Sequence, residues 1–313
     1  MEAIEKPLVS VFTATYNRAS SLPVVYESLC QQTYRNFEWI IVDDGSSDGT
    51  EQLVSQWKNE AVISIRYFYQ DNNGKHIAMN KGLIEAKGIF FANLDSDDYI
   101  VPSALETMLA AWESIPKDKR CAFAAVKARC VDPDTGFPIG REIPGGRMET
   151  TVTDAKYIHK INFEMWSMSR TEIRRKYPNP DIRGGKKGGG LRFYPEGIWQ
   201  DLASKDYHVL LINQPLRAYT RNTSTSLMGY GAKYDRSREN IHLWSHVVNH
   251  NLRYFFYDPK NIGKAIVGVS MDGFFLKKPI SETLLLIHGT LRKALVIAAM
   301  PIGYFCYLRR RRL

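Results

Sequence analysis

Along the first hundred residues, apolar positions switch repeatedly between two periods. Residues 8–14 (LVSVFTA) form a short β-branched run that predicts a strand. Residues 20–31 (SSLPVVYESLCQ) open on a serine able to cap a helix and then place apolar side chains at helical spacing. The pair repeats, with strands predicted at 37–42, 63–69 and 89–94 and helices at 49–57 and 76–86. Such alternation predicts a largely parallel sheet with helices on both faces.

In an open parallel sheet, ligands sit outside the carboxyl ends of the strands. The polar clusters of this region fall at those ends: Thr13-Ala14-Thr15-Tyr16-Asn17-Arg18 after the first strand, Asp43-Asp44-Gly45-Ser46 after the second, Asn72-Asn73-Gly74-Lys75 after the third, and Asp95-Ser96-Asp97-Asp98 after the fourth. One such loop is ordinary turn and cap chemistry. Four polar loops at successive strand ends, two of them acid-bearing, describe a site. Asp95, Asp97 and Asp98 crowd the mouth of a buried strand, where mutual repulsion is costly unless a cation is present. All-oxygen ligation by one or two carboxylates, completed by water and phosphate, is the Mg²⁺ or Mn²⁺ arrangement, and its expected partner is a nucleotide diphosphate.

From Cys121 the period changes. VKARCVDPDTGFPIG reads as two strands joined by a tight turn, and the parallel sheet is expected to end there. Residues 181–190 (DIRGGKKGGG) hold five glycines among three basic residues and read as a mobile lid or a plain surface loop.

Composition narrows the class. With 313 residues, 44% hydrophobic and 24% charged, the chain is an ordinary globular protein. Four cysteines without CxxC spacing exclude a zinc module and fit a reducing compartment. The start, MEAIEKP, does not read as a signal peptide, so Asn222-Thr223-Ser224 is not expected to be glycosylated. Of the net +9, the segment from Gly263 onward carries nine Lys/Arg against two Asp/Glu. Basic residues that flank apolar segments point to an anionic membrane surface; no nucleic-acid partner is expected.

VSVFTATYNR, FEWIIVDDGSSDGT and DNNGKHIAMNKGLIEAKGIFFANLDSDD, in that order, resemble the signature segments of the family 2 glycosyltransferases. The resemblance implies a GT-A fold, a Rossmann-like α/β sheet joined to an acceptor-binding subdomain. It also implies metal-dependent, inverting transfer from a nucleotide sugar, UDP-linked by family habit, to a saccharide or lipid-linked acceptor. Carried over, Thr13, Ala14, Thr15, Tyr16 and Arg18 line the base pocket, and Asp43 accepts from the base. Asp44 supports it or meets the ribose, and Gly74 and Lys75 close over the nucleotide. Asp95, Asp97 and Asp98 match the DxD region, with Asp95 and Asp97 toward the nucleotide and Asp97 and Asp98 toward the metal. The resemblance also implies a catalytic base at the head of a later helix. The usual Glu-Asp pair is replaced here by Glu196-Gly197 with Asp201 following; Glu196 is favoured and Asp201 stays open. A sugar nucleotidyltransferase would need a glycine- and lysine-rich first loop, which FTATYNRASS lacks. A binding or scaffold protein without turnover is the other alternative.

This reading divides the chain into a nucleotide-sugar half (1–115), an acceptor half (116–230) and a C-terminal helical extension (231–313). In the extension, residues 294–308 are apolar and bounded by basic residues. Fifteen helical residues rise only about 22 Å against a hydrocarbon core of about 30 Å. With Pro301 and Gly303 inside, a monotopic or re-entrant anchor on the cytoplasmic face is expected rather than a span.

Overall fold

The computed structural model describes residues 8–183, 190–220 and 236–311. The centre of the lid expected at 181–190, and Asn222-Thr223-Ser224, lie outside the described residues.

The alternating first part forms β1 (Val9–Thr15), α1 (Leu22–Cys30), β2 (Phe37–Asp43), α2 (Thr50–Glu60), β3 (Ser64–Tyr69), α3 (Lys75–Glu85) and β4 (Phe90–Asn93). β1 pairs in parallel with β2 and β4, and β2 with β3. The helices divide between the two faces because successive strand side chains point opposite ways. Val11, Trp39 and Ile41 pack on α1 and α2 through Leu22, Val25, Leu29 and Trp57. Their strand neighbours Phe12, Ile40 and Val42 pack on Ala78, Met79 and Leu83 of α3. Each large apolar side chain fully buried this way contributes about 1.5–3 kcal/mol.

The second part comprises β5 (Tyr99–Ile100), α4 (Ala104–Glu113), β6 (Phe123–Val131), β7 (Arg147–Thr150), α5 (Val152–Tyr157), β8 (Met165–Arg170), α6 (Thr171–Lys176), α7 (Gly197–Ala203) and β9 (His208–Ala218). It continues the same sheet, in the order β3-β2-β1-β4-β8-β6-β9-β5, with β7 pairing β9. Two expectations are corrected here. The chain does turn after β6, where Gly136 N–H donates to the Asp132 carbonyl and Ile139 N–H to that of Cys130. The return limb nevertheless makes only one bridge, Val131 to Pro138. Proline has no N–H to donate to a ladder, and both edges of β6 are already taken by β8 and β9. Nor does parallel pairing stop at Cys121, since β6 and β9 run parallel.

Four further helices, α8 (Ser237–His250), α9 (Pro259–Phe275), α10 (Ile280–Leu285) and α11 (Thr290–Arg311), enclose a separate core of Val247, Val248, Ile262, Ala265, Val269 and Val296. The apolar run expected to be short lies inside a helix of 22 residues, long and apolar enough by length and composition to cross a membrane. Pro301 sits on its exposed side and does not end it, because α9 supports the helix on the other. There Gly303 lets the backbones close up: an added Cβ would stand 2.1 Å from Ser270 Oγ.

The helical layer carries a pH-dependent element. Lys205 Nζ lies 3.3 Å from His250 Nδ1. Burial, with His246, Lys205, His288 and Arg292 adding to it, lowers the His250 pKa to about 4. An unfolded histidine takes up its proton near pH 6.5, so the unfolded chain binds more protons between about 6.5 and 4. The stability from a neutral His250 is therefore complete above that window and is lost as pH falls through it. His250→Gln is expected to flatten the acid limb of a Tm-against-pH curve; an unchanged slope would contradict the assignment.

Candidate active site

The loops after β1, β2, β3 and β4 converge, as the strand ends dictate. The first two are tied together: Asn17 N–H donates to Ser46 Oγ at 2.8 Å, and Ser47 N–H to Asn17 Oδ1 at 2.8 Å. Asp43 is buried and accepts from Tyr67 Oη at 2.7 Å and from Ser46 N–H at 2.7 Å. Asp44 accepts from Gln70 Nε2 at 2.7 Å, Asn73 N–H at 3.0 Å and Gly74 N–H at 2.8 Å. Burial nonetheless raises its pKa above the usual carboxylate range. Asp44 thus spends its oxygens on pinning the next loop. Gly74 requires pinning, since its φ of +100° is glycine territory and a Cβ would meet the Leu191 carbonyl oxygen at 2.6 Å.

Thr13 and Thr15 are buried at the end of β1, with Thr13 Oγ1 donating to the Leu94 carbonyl at 2.8 Å and accepting from Trp39 Nε1 at 3.0 Å. Ala14 and Tyr16 are half-buried beside them. Arg18 reaches across to Asp97, Nη1 to Oδ2 3.5 Å.

Lys75, the first residue of α3, sits at the centre. Its Nζ is 2.9 Å from Asp95 Oδ1 and 2.9 Å from Glu196 Oε1. Burial opposes its charge, but the two carboxylates hold its pKa above the ordinary lysine value. Burial also pushes the Asp95 carboxyl up, and Lys75 followed by Arg217 outweighs it and holds Asp95 low. Asn93 Nδ2 lies 3.4 Å from Asp95 Oδ1 and 3.5 Å from Glu196 Oε2.

Glu196 occupies the N-cap position of α7 but its side chain makes no cap bond, turning to Lys75 instead. Asp201, farther along the same helix, is buried on another side. It accepts from Asn251 Nδ2 at 2.8 Å and lies 3.5 Å from His246 Nε2. Gln200 accepts from Lys127 Nζ of β6 at 2.7 Å. The Gln-Asp pair thus clamps α7 between the sheet and α8, and the structure brings Glu196 together with Lys75, Asp95 and Asn93 while Asp201 faces the helical layer.

The acid cluster separates, with each carboxylate meeting its own cation: Asp95 meets Lys75, Asp97 meets Arg18, and Asp98 meets Arg217 with Oδ2 3.5 Å from Nε. The repulsion read from the sequence is therefore relieved by protein side chains. Asp98, 1% exposed, also accepts from Thr220 N–H at 3.0 Å. Burial pushes its pKa up to about 7 despite Arg217. Asp97 is 15% exposed. Among the described residues no three His, Cys, Asp or Glu side chains gather into a metal cage. A single accessible carboxylate fits a hard cation whose other ligands are phosphate and water; Asp97 meets that description better than Asp98. Arg217, Asn93 and Lys127 are participants the sequence reading did not name. Asn93 stands two residues before Asp95 and was within reach, whereas nothing local marks Arg217.

A family model described as glycosyl transferase family 2 matches residues 10–175. Over 120 residues the chain is 38% identical to the putative teichuronic acid biosynthesis glycosyltransferase TuaG of Bacillus subtilis, a match covering 38% of this chain and 46% of that protein. Over 108 residues it is 39% identical to the putative glycosyltransferase EpsH of the same organism, covering 34% of this chain and 30% of that one. The chain thus spans less than half the length of these curated relatives. In fold it is similar to S. aureus TarS 1–349 in complex with UDP-GlcNAc (TM-score 0.61, 18% identity, 97% of this chain and 91% of that one). It is also similar to the mannosyltransferase PcManGT of Pyrobaculum calidifontis in complex with GDP-Man and Mn²⁺ (TM-score 0.50, 16% identity, 96% and 88%). Both likenesses concern the fold, a GT-A-like α/β sheet with C-terminal helices.

Proposed function

The chain belongs to glycosyl transferase family 2, and from that premise we propose that it moves one sugar, with inversion, from a nucleotide sugar to a hydroxyl of a saccharide or lipid-linked saccharide in cell-surface polysaccharide synthesis. The observation that carries this reading is the constellation of Glu196, Lys75 and Asp95, with Lys75 Nζ 2.9 Å from both carboxylates. A UDP-sugar is the proposed donor, in keeping with the UDP-GlcNAc complex of TarS.

In the proposed reaction Glu196 takes the proton of the acceptor hydroxyl as its oxygen bonds to the anomeric carbon. The bond from that carbon to the diphosphate oxygen breaks, and the electron pair leaves with the diphosphate. Lys75 fixes the orientation of Glu196, and Gln200 and Asp201 fix the helix that carries it. Thr15, Tyr16 and Asp43 border the base, while Asp44 and Gly74 shape the loop beneath the ribose. Asp97, with Asp98 behind it, would hold Mg²⁺ or Mn²⁺; when bound, such a cation offsets the charge that develops on the departing diphosphate. Residues 1–115 then serve the donor and 116–230 the acceptor.

A membrane-bound acceptor would be met at the cytoplasmic face. α11 lies along α9 and leaves Leu291, Leu295, Ile302 and Phe305 exposed. Spanning a bilayer would carry α9 with it, including Lys260, Lys264 and the buried Asp272, so the helix is read as docking in the plane of an anionic surface. The deciding experiment is a screen of nucleotide sugars with Mn²⁺ and the purified chain, measuring hydrolysis or transfer. Turnover of a UDP-sugar supports the proposal, and no turnover of any donor would leave only nucleotide-sugar binding.

A further inference from the structure

A second surface of the helical layer combines exposed aromatic rings with basic residues. Between α8 and α9 the chain makes a tight 3₁₀ turn, Leu252–Tyr254, followed by Phe255, Phe256 and Tyr257. Phe256 is 93% exposed and Tyr257 57%. This exposure does not come from a loose loop. Tyr254 points inward, stacks on Tyr157 with centroids 4.8 Å apart, and donates to Asp154 Oδ1 at 2.7 Å. Phe255, Tyr257 and Asp258 all donate backbone N–H bonds back into the turn, and Asp258 caps α9 through Asn261 N–H. A rigid turn therefore holds two large aromatic side chains out in water, where they gain nothing unless something covers them.

The surroundings identify the cover. Arg253 and Lys260 flank the aromatics and are exposed, and Lys160 donates its ammonium to the Tyr257 carbonyl. The neighbouring acids are occupied, Asp258 with Asn261 and, at 4.0 Å, with Lys160, and Asp154 with Tyr254. Exposed aromatic side chains flanked by the exposed Arg253 and Lys260 match the interfacial zone of an anionic bilayer.

The location matches as well. The pairs Gly303–Ser270, Tyr307–Phe274 and Arg310–Asp272 show that α11 runs parallel to α9. The aromatic turn, which enters α9, thus lies at the same end of the pair as the exposed Leu291 of α11. From the turn, Asn251 reaches Asp201 of α7, the helix headed by Glu196.

We infer that the Phe255-Phe256-Tyr257 turn is a second membrane contact, inserted among anionic lipid headgroups, which together with α11 fixes how the Glu196 end of the cleft meets a lipid-borne acceptor. This rests on the membrane reading of α11 proposed above. The test is co-sedimentation of the full chain with phosphatidylglycerol vesicles, with phosphatidylcholine vesicles as control, at low and high salt. Phe256→Ser is expected to weaken binding to the anionic vesicles roughly tenfold at unchanged Tm, and Phe256→Trp to retain or tighten it. If Leu295→Ser/Ile302→Ser releases the protein while Phe256→Ser binds like wild type, the turn is not a contact and the α11 reading stands. If the wild-type protein binds no vesicles, both readings fall. A concentration-dependent dimer dispersed by Phe256→Ser would assign the turn to a second copy of the chain and overturn the inference.

Discussion

Glu196→Gln is expected to lower kcat by about 10²- to 10⁴-fold, the range for removing a general base, while UDP binding measured by calorimetry stays close to wild type. The split follows from geometry. Glu196 touches Lys75 and Asn93, and glutamine keeps an oxygen for Lys75 but accepts no proton. Asp201→Ala should show the opposite signature. It empties a buried acceptor of the Asn251 amide, so it should cost about 1–3 kcal/mol of stability and leave kcat largely intact at temperatures where the protein is folded. If Asp201→Ala abolishes turnover at unchanged Tm and Glu196→Gln does not, the roles reverse.

Chelation by EDTA should abolish transfer, with Mn²⁺ restoring it, and Asp97→Asn should lower kcat by about 10²- to 10³-fold, as for other lost electrostatic contacts to a developing charge. Of the two carboxylates assigned to the cation, Asp97 is the more exposed, 15% against 1% for Asp98, and lies 3.5 Å from Arg18. Asp98 is enclosed with Arg217 and Thr220, so Asp98→Asn should register chiefly in Tm. Full activity in EDTA would remove the cation from the proposal altogether. Equal kinetic losses in the two variants would return Asp98 to the ligand set.

The first part of the fold was legible because its information is local. In residues 8–94 each strand is a short apolar run and each helix a 3.6-residue period, so the strand ends, and the polar loops hung on them, could be placed by counting. The loop of Asp43 and Asp44, the Gly74-Lys75 helix start and the acid cluster all stand where that counting put them.

Beyond β4 the pattern supplied elements but not partners. The turn at 132–137 was readable, yet whether its return limb joined a ladder depended on β8 and β9 having filled both edges of β6. The length of α11 was misjudged because proline and basic residues end a hydropathy run without ending a helix that is supported along its side.

The sequence by itself determined the parallel first half of the sheet, the position of the loop cluster at its strand ends and the residue types in those loops, since side-chain periodicity reports directly which face of a segment is buried. Only the tertiary structure decided the charge pairing: that Lys75 bridges Asp95 and Glu196, that Arg217 faces Asp98, and that Asp201 turns to Asn251. Those pairs join residues far apart in the chain, and their attraction acts only once chain closure has brought them within a few ångströms in a medium drier than water.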